Sequence, residues 1–386
     1  MDAVEESRQR IRNTLHVPQP LPSLDAEKHG EFRLAPDITV ERVSYTTQLG
    51  MRVPAIVYRP SDSAPRRPAL IIVNGHGGDK FAWYALYAGA AYARQGFVVL
   101  TYDPAGEGER NSQRLSGTRA HDRIVEPEEI GRWLGGLMIC DVMQAVSYLA
   151  SRPDVDPARI AAAGYSMGSF VLSLAGAIET RLKACLLTGG GNLDGPGGYW
   201  DRSKPMCQGI PYRSLSFLGD RAAQLYALHA RRGPTFVYNG DQDTVVSMPN
   251  FGESFFADLR ARVTRLLDGA GTPFEYAFVP TASHRPLVVT KPAALWLCTA
   301  LQLPEPMRAR IAALPVTRIA GWTADWNVPM DPLYATYDRE GGTLGIGRAI
   351  PAADRRRLHV FPDAEWERRK DRLVHEAWLQ RAAAQI

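Results

Sequence analysis

Residues 159–172 read R-I-A-A-A-G-Y-S-M-G-S-F-V-L and hold Ser166 between two glycines in an otherwise apolar run. G-x-S-x-G between a short strand and a helix is the pattern of a nucleophile elbow. Each residue type has a task in that chemistry. The glycines remove Cβ atoms where the turn is tight, so the serine can sit in a strained conformation with its Oγ projecting from the end of the strand. The helix that follows aims its first N–H groups at any oxyanion formed by attack on a carbonyl. A serine hydroxyl is a weak nucleophile alone: it needs a base, and the base needs an acid to orient it.

The partners are sought after the serine, in the order acid then histidine, each on a loop leaving a later strand. V-Y-N-G-D-Q-D-T-V-V ends one such strand and offers Asp241 and Asp243. Asp243 is preferred, because its place in G-x-x-D-x-x-V puts it at the far side of the turn. For Asp241 a turn-forming side chain is expected. Among the later histidines, His229 falls in a helix-like A-L-H-A-R-R, His359 in a strand-like R-L-H-V-F and His375 in a charged terminal helix. His284, in V-P-T-A-S-H-R-P, directly follows a core strand and is the expected base. Two backbone N–H groups are expected to form an oxyanion hole: Met167, after the serine, and Gly78, in the loop N-G-H-G-G-D-K. His76 is expected to shape that loop by hydrogen bonding.

The elements that must position these groups alternate. I-T-V-E-R-V-S-Y and V-P-A-I-V-Y-R-P form a period-two hairpin pair, and A-L-I-I-V-N and G-F-V-V-L-T-Y-D are continuous apolar runs suited to buried strands. Helical patterns at 81–95, 126–149 and 250–268, and the helix after Ser166, separate further strands at A-C-L-L-T, P-T-F-V-Y-N-G and F-E-Y-A-F-V-P. Such alternation predicts an α/β fold with a mostly parallel central sheet covered by helices on both faces. Residues 1–37 read as a helical lead-in and linker, 38–302 as the catalytic domain and 303–386 as an appendage. The Gly-, Pro- and aromatic-rich stretch 189–217 reads as a lid or pocket insertion, with Tyr199, Trp200 and Tyr212 crowding a long acyl chain.

Composition narrows the classes. The 386-residue chain is 45% hydrophobic and 22% charged with a net charge of +4, which excludes disordered and fibrous proteins. The basic clusters near the end are interleaved with acids, so a solvated face is expected and no nucleic-acid partner. No apolar run approaches the ~20 residues of a membrane span, so no membrane partner is expected. The opening M-D-A-V-E-E-S-R lacks the apolar stretch of a secretory signal, and a cytoplasmic location is expected unless a signal has been trimmed. Cys140, Cys185, Cys207 and Cys298 are scattered singly and read as buried free thiols. No H-E-x-x-H and no G-x-G-x-x-G is present, so neither a metal nor a nucleotide cofactor is expected.

The series N-G-H-G-G-D-K, D-P-A-G-E-G-E-R, G-Y-S-M-G-S, G-D-Q-D-T-V-V and S-H-R-P resembles the alpha/beta-hydrolase superfamily over about residues 38–302. Within it the chain is similar to bacterial dienelactone-hydrolase-like and acetyl-xylan-esterase-like proteins. M-C-Q-G-I-P-Y-R and K-P-A-A-L-W-L belong to the same likeness. The resemblance implies a serine esterase with Ser166, Asp243 and His284 as triad, Met167 and Gly78 as oxyanion donors, and a small-molecule ester as substrate. Serine stands where true dienelactone hydrolases have cysteine, and the loop lacks the H-G-Y-x-G-G form of acetyl-xylan deacetylases. Both differences argue against carrying those particular substrates over.

Overall fold

The computed structural model describes residues 2–63, 66–123, 127–191, 206–246, 248–330, 343–344 and 350–386. Much of the expected insertion, Tyr199 and Trp200 included, lies outside the described residues, as does most of the Gly-rich turn near 340–347.

Nine strands form one sheet. In chain order they are β1 (Glu27–Ala35), β2 (Ile38–Thr46), β3 (Arg52–Pro60), β4 (Arg67–Val73), β5 (Val98–Tyr102), β6 (Val155–Tyr165), β7 (Ala184–Thr188), β8 (Thr235–Gly240) and β9 (Phe274–Val279). Their spatial order is β1-β2-β3-β5-β4-β6-β7-β8-β9. The first three and β5 pair antiparallel; from β5 through β9 every pairing is parallel. The parallel strands are the apolar runs read in the sequence, buried on both faces because helices cover both. β1 departs from expectation. E-K-H-G-E-F-R-L-A was read as linker, yet it adds an edge strand whose residues are only half-buried or exposed, so it carries no apolar run to announce it.

Helices α1 (Ala3–Thr14), α2 (Trp83–Arg94), α3 (Glu128–Ser151), α4 (Met167–Ile178), α5 (Met206–Arg213), α6 (Arg221–Ala230), α7 (Met248–Leu267) and α8 (Lys291–Ala300) lie around the sheet. α3 is long and apolar enough to pass for a membrane span by length and composition, but most of its apolar stretch is buried in the fold. It is a core helix. α1 is docked by its cations: the buried Arg8 donates to the carbonyls of Ala177 (3.1 Å) and Leu228 (3.0 Å), and Arg12 to that of Ile178 (2.7 Å). Ala177 and Ile178 end α4, where positive charge complements the helix dipole. The lead-in therefore steadies the far end of the helix that starts at Ser166.

The C-terminal segment, with α9 (Glu305–Ala313), α10 (Ile319–Asp325), α11 (Asp363–Arg369) and α12 (His375–Ala383), packs onto both faces. Trp322, Leu358, Phe361 and Trp366 join the core over α2, while Trp378 enters the core on the α3 side. A buried ion network underlies this docking. Lys80 binds Asp103 and Glu109 (2.9 Å to the latter), and all three are fully buried. Glu109 also accepts the backbone N–H groups of Val360 (2.8 Å) and Phe361 (3.1 Å). Burial alone would neutralise Lys80, but Asp103 and Glu109 outweigh it and hold its pKa above the usual lysine range. His359, expected in a strand, instead follows a short 3-10 turn, Arg355–Leu358.

Candidate active site

β6 ends at Tyr165 and α4 begins at Met167, so Ser166 is the single residue of the turn between them. Its φ of 54° and ψ of −118° lie in a region that non-glycine residues rarely occupy. The Ser166 N–H donates to the Thr188 carbonyl (2.9 Å) on the neighbouring strand, and its own carbonyl accepts from Ser169 N–H (3.0 Å). Both flanking glycines are required sterically: a Cβ on Gly164 would lie 2.5 Å from the Gly168 oxygen, and one on Gly168 only 2.1 Å from the Val73 oxygen. Met167, the first residue of α4, has a backbone N–H with no acceptor inside the helix.

Beyond β8, Asp243 is fully buried and accepts the N–H groups of Val245 (3.0 Å) and Val246 (3.2 Å) on one carboxylate oxygen. The other oxygen accepts from His284 Nδ1 at 2.8 Å. That bond fixes the imidazole and leaves Nε2 as its second nitrogen. Asp241 has no contact with the histidine among those described: its backbone N–H pairs with the Val279 carbonyl (3.2 Å), and its Oδ1 has no partner among the described residues.

Gly189 and Gly190 pack against both the histidine and the serine. A Cβ on Gly189 would lie 3.1 Å from His284 Cε1, and one on Gly190 3.1 Å from the Ser166 carbonyl oxygen. The structure thus joins Asp243 to His284 and places both His284 and Ser166 against one pair of glycines. It draws no hydrogen bond from the Ser166 hydroxyl to a described residue. Such bonds are often long in the absence of substrate.

The loop after β4 brings a correction. The Gly78 N–H is committed to the Gly75 carbonyl (3.0 Å) inside a tight turn, so it is not available to an oxyanion. Gly75 is the residue that abuts the elbow, since its Cβ would fall 3.0 Å from Ser166 Cβ. Its N–H donates to the Tyr84 hydroxyl (3.1 Å). The next amide, His76, has no acceptor among the described residues. The His76 ring shapes the loop as expected, with Nε2 3.0 Å from Asp122 Oδ1 and 3.1 Å from Cys207 Sγ.

Other positioning residues escaped the sequence reading. Asn239 clasps Gly190 in both directions, its Oδ1 accepting the glycine N–H and its Nδ2 donating to the carbonyl, each at 3.0 Å. The Ser169 hydroxyl, with the Gly164 (2.8 Å) and Thr188 (2.7 Å) carbonyls in reach of its one proton, also accepts the Thr188 N–H (2.9 Å) beneath the elbow. Glu107 accepts the N–H groups of Gly117 (2.7 Å) and Arg119 (2.9 Å), and burial pushes its carboxyl up to about 7. Tyr212, expected to crowd an acyl chain, is instead fully buried in the core beside Phe170. His229, between Cys185 and Thr235, is a buried structural histidine. A cavity of about 540 Å³ opens beside the loop, with Gly77, Gly78 and Phe81 on one side and Trp326, Asp354 and Arg355 of the C-terminal segment on the other. The segment after 303 is therefore one wall of a pocket.

Residues 83–296, from α2 through α8, match the family model described as the prolyl oligopeptidase family, and this stretch is more than half of the chain. The chain belongs to the prolyl oligopeptidase family. The superfamily expected from the motifs, alpha/beta hydrolase, is the right one, and the family is one of serine hydrolases. Two curated proteins are similar: the putative hydrolase YtaP of Bacillus subtilis, 30% identical over 146 residues (35% of this chain, 47% of YtaP), and an uncharacterized protein, PA2218, of Pseudomonas aeruginosa, 28% identical over 155 residues (40% and 37%). The chain thus spans about half, or less, of the length of the curated relatives it matches. Among solved structures, the methylesterase BT1017 has a TM-score of 0.56 at 19% identity, covering 95% of this chain and 75% of its own. Acetyl xylan esterase 1 from Thermoanaerobacterium sp. JW/SL YS485 has a TM-score of 0.53 at 18% identity, with 77% and 93% covered. A glucuronoyl esterase from Solibacter usitatus has 0.55 at 14% identity, with 78% and 94% covered. At these identities the likeness is one of fold.

Proposed function

We propose that this member of the prolyl oligopeptidase family is a serine esterase that cleaves carboxylic esters through an acyl-enzyme. The reading is supported by the His284–Asp243 pair at 2.8 Å, packed against Gly189, and by a serine held at φ 54° on a strand-to-helix elbow against the adjacent Gly190. Ser166 Oγ attacks the ester carbonyl carbon while His284 Nε2 takes the hydroxyl proton. Asp243, on Nδ1, stabilises the imidazolium. The oxyanion is met by the Met167 amide and, in place of Gly78, by the His76 amide. The carbonyl re-forms as the alkoxide leaves, taking the proton from His284. Water then repeats the sequence on the acyl-enzyme, releasing the acid and restoring the serine.

Ester rather than peptide chemistry is supported by the solved structures of like fold, which are named as esterases. Short acyl groups come first, as the aromatic-rich stretch 189–217 suggests. The family's name favours a second reading, a peptidase or amidase using the same triad. Acyl transfer to another alcohol would also use it. The test is hydrolysis of a p-nitrophenyl ester series from acetyl to decanoyl, of acetylated sugars and of peptide p-nitroanilides. Short esters are expected to be the best substrates, and a preference for anilides would overturn the ester reading.

A further inference from the structure

Four potential metal donors converge from segments far apart in sequence. His76 lies in the loop after β4, His121 and Asp122 in the turn Ala120–Arg123, and Cys207 in the first turn of α5. One donor atom from each lies within 4.8 Å of every other. Asp122 Oδ1 is 3.0 Å from His76 Nε2, 3.1 Å from His121 Nε2 and 3.4 Å from Cys207 Sγ, and His76 Nε2 is 3.1 Å from Cys207 Sγ. The two imidazoles are stacked, with centroids 5.4 Å apart and planes 10° from parallel.

We propose that His76, His121, Asp122 and Cys207 form a tetrahedral site for a divalent ion of the zinc type, clamping the loop after β4 to the turn at 120–123 and to α5. The edge of a tetrahedron is about 1.6 times its centre-to-corner length. Zinc bonds of about 2.0–2.3 Å to nitrogen, oxygen and sulfur therefore call for donor separations of about 3.3–3.8 Å. The four separations given above reach that range with shifts of a few tenths of an ångström.

Hydrogen bonding alone accounts for the cluster less well. It would require one carboxylate oxygen to serve three neighbours, His76, His121 and Cys207. The His121 side chain is 1% exposed, its Nδ1 has no hydrogen-bond partner among the described residues, and its Nε2 has only the shared Asp122 oxygen, 3.1 Å away, a costly state for a buried polar group. A cation at the centre gives His121 Nε2 a bond and compensates the carboxylate.

Two imidazoles, a thiolate and a carboxylate suit zinc better than magnesium or calcium, which prefer oxygen. Four protein donors fill the tetrahedron and leave no open position, so the site is structural rather than hydrolytic. It makes and breaks no bond at Ser166; its function is to hold in place the backbone around His76, whose amide is the proposed oxyanion donor.

Metal content of the full-length, tag-free protein decides the matter. Elemental analysis after dialysis against Zn²⁺ should find about one equivalent per chain, with a higher melting temperature than the chelator-treated protein. Co²⁺ loading should give intense visible d–d bands and a thiolate charge-transfer band. Cys207→Ser should lose that band, and the His121→Ala/Cys207→Ser double variant should lose the stoichiometric ion. Ser166→Ala should keep it, which separates this proposal from the esterase reading. Folded wild-type protein that takes up neither Zn²⁺ nor Co²⁺, or no more than the double variant, would overturn the site; so would cobalt spectra unchanged by Cys207→Ser.

Discussion

Gly168→Ala tests whether the elbow, rather than the serine alone, makes the site. The added methyl would fall 2.1 Å from the Val73 carbonyl oxygen, 2.7 Å from its carbon and 2.8 Å from the Asn74 oxygen. All three are backbone atoms at the end of β4, so no side chain can swing aside. To restore even a 3.0 Å contact, α4 or the end of β4 must retreat by about 0.9 Å. The strain falls between the Met167 amide and the loop that carries His76, so it would widen the proposed oxyanion hole directly. Overpacking of this kind costs about 1–3 kcal/mol of stability, and a misplacement near 1 Å costs roughly 100-fold in rate. The assay is kcat/KM on p-nitrophenyl acetate, normalised to the fraction of active serine, beside a thermal melt. A fall of about 100-fold, mostly in kcat, with a lowered but cooperative melt is expected. Gly321→Ala is the control: its Cβ meets nothing within 4 Å, and alanine favours a helix by up to about 1 kcal/mol. A Gly168→Ala protein with wild-type turnover and melting temperature would refute the steric reasoning.

Three further outcomes follow from other parts of the molecule. Asp243→Asn should lower kcat on the order of 10⁴-fold, whereas Asp241→Asn, whose side chain does not meet His284, should change it less than fivefold by the same assay; the reverse ranking would reassign the acid. Burial would raise the Glu41 carboxyl, but Arg152 and Arg59, each 2.6 Å away, outweigh it and hold its pKa at about 2. Because this folded-state value lies below the unfolded one, its stabilisation is present above about pH 4.5 and lost as pH falls towards 2. It is on the order of 3 kcal/mol, so melting temperature should fall less steeply over that window in Glu41→Gln than in wild type. Glu109→Ala would strip buried Lys80 of one carboxylate and the Val360 and Phe361 amides of their acceptor. A loss of about 3–5 kcal/mol is expected, with limited proteolysis cutting first in the segment after 303; unchanged protection there would show that apolar packing alone holds it.

What was legible in the sequence has a physical pattern. The parallel strands and their helices could be read because burial on both faces writes continuous apolar runs, as in A-L-I-I-V and A-C-L-L-T. β1 could not, because a half-buried edge strand such as K-H-G-E-F-R-L needs only Phe32 and Leu34 against the core. Ser166, Asp243 and His284 were named from local motifs at strand ends, and the structure pairs the latter two. Local motifs do not fix amide direction, so Gly78 was the expected donor, whereas its N–H turns inward to the Gly75 carbonyl. The Asn239–Gly190 clasp and the convergence of His76, His121, Asp122 and Cys207 depend on how loops meet across the sheet edge. No spacing in the chain records that. The C-terminal segment shows the same limit: its tryptophans were visible, but the buried carboxylate of Glu109 that receives it lies some 250 residues earlier.

Reaction with an alkyl fluorophosphonate, followed by peptide mass spectrometry, probes the activated serine most directly. One adduct is expected, on the peptide containing Ser166, absent in Ser166→Ala and formed far more slowly in His284→Ala. An adduct on another residue, or labelling that persists at wild-type rate in Ser166→Ala, would contradict it.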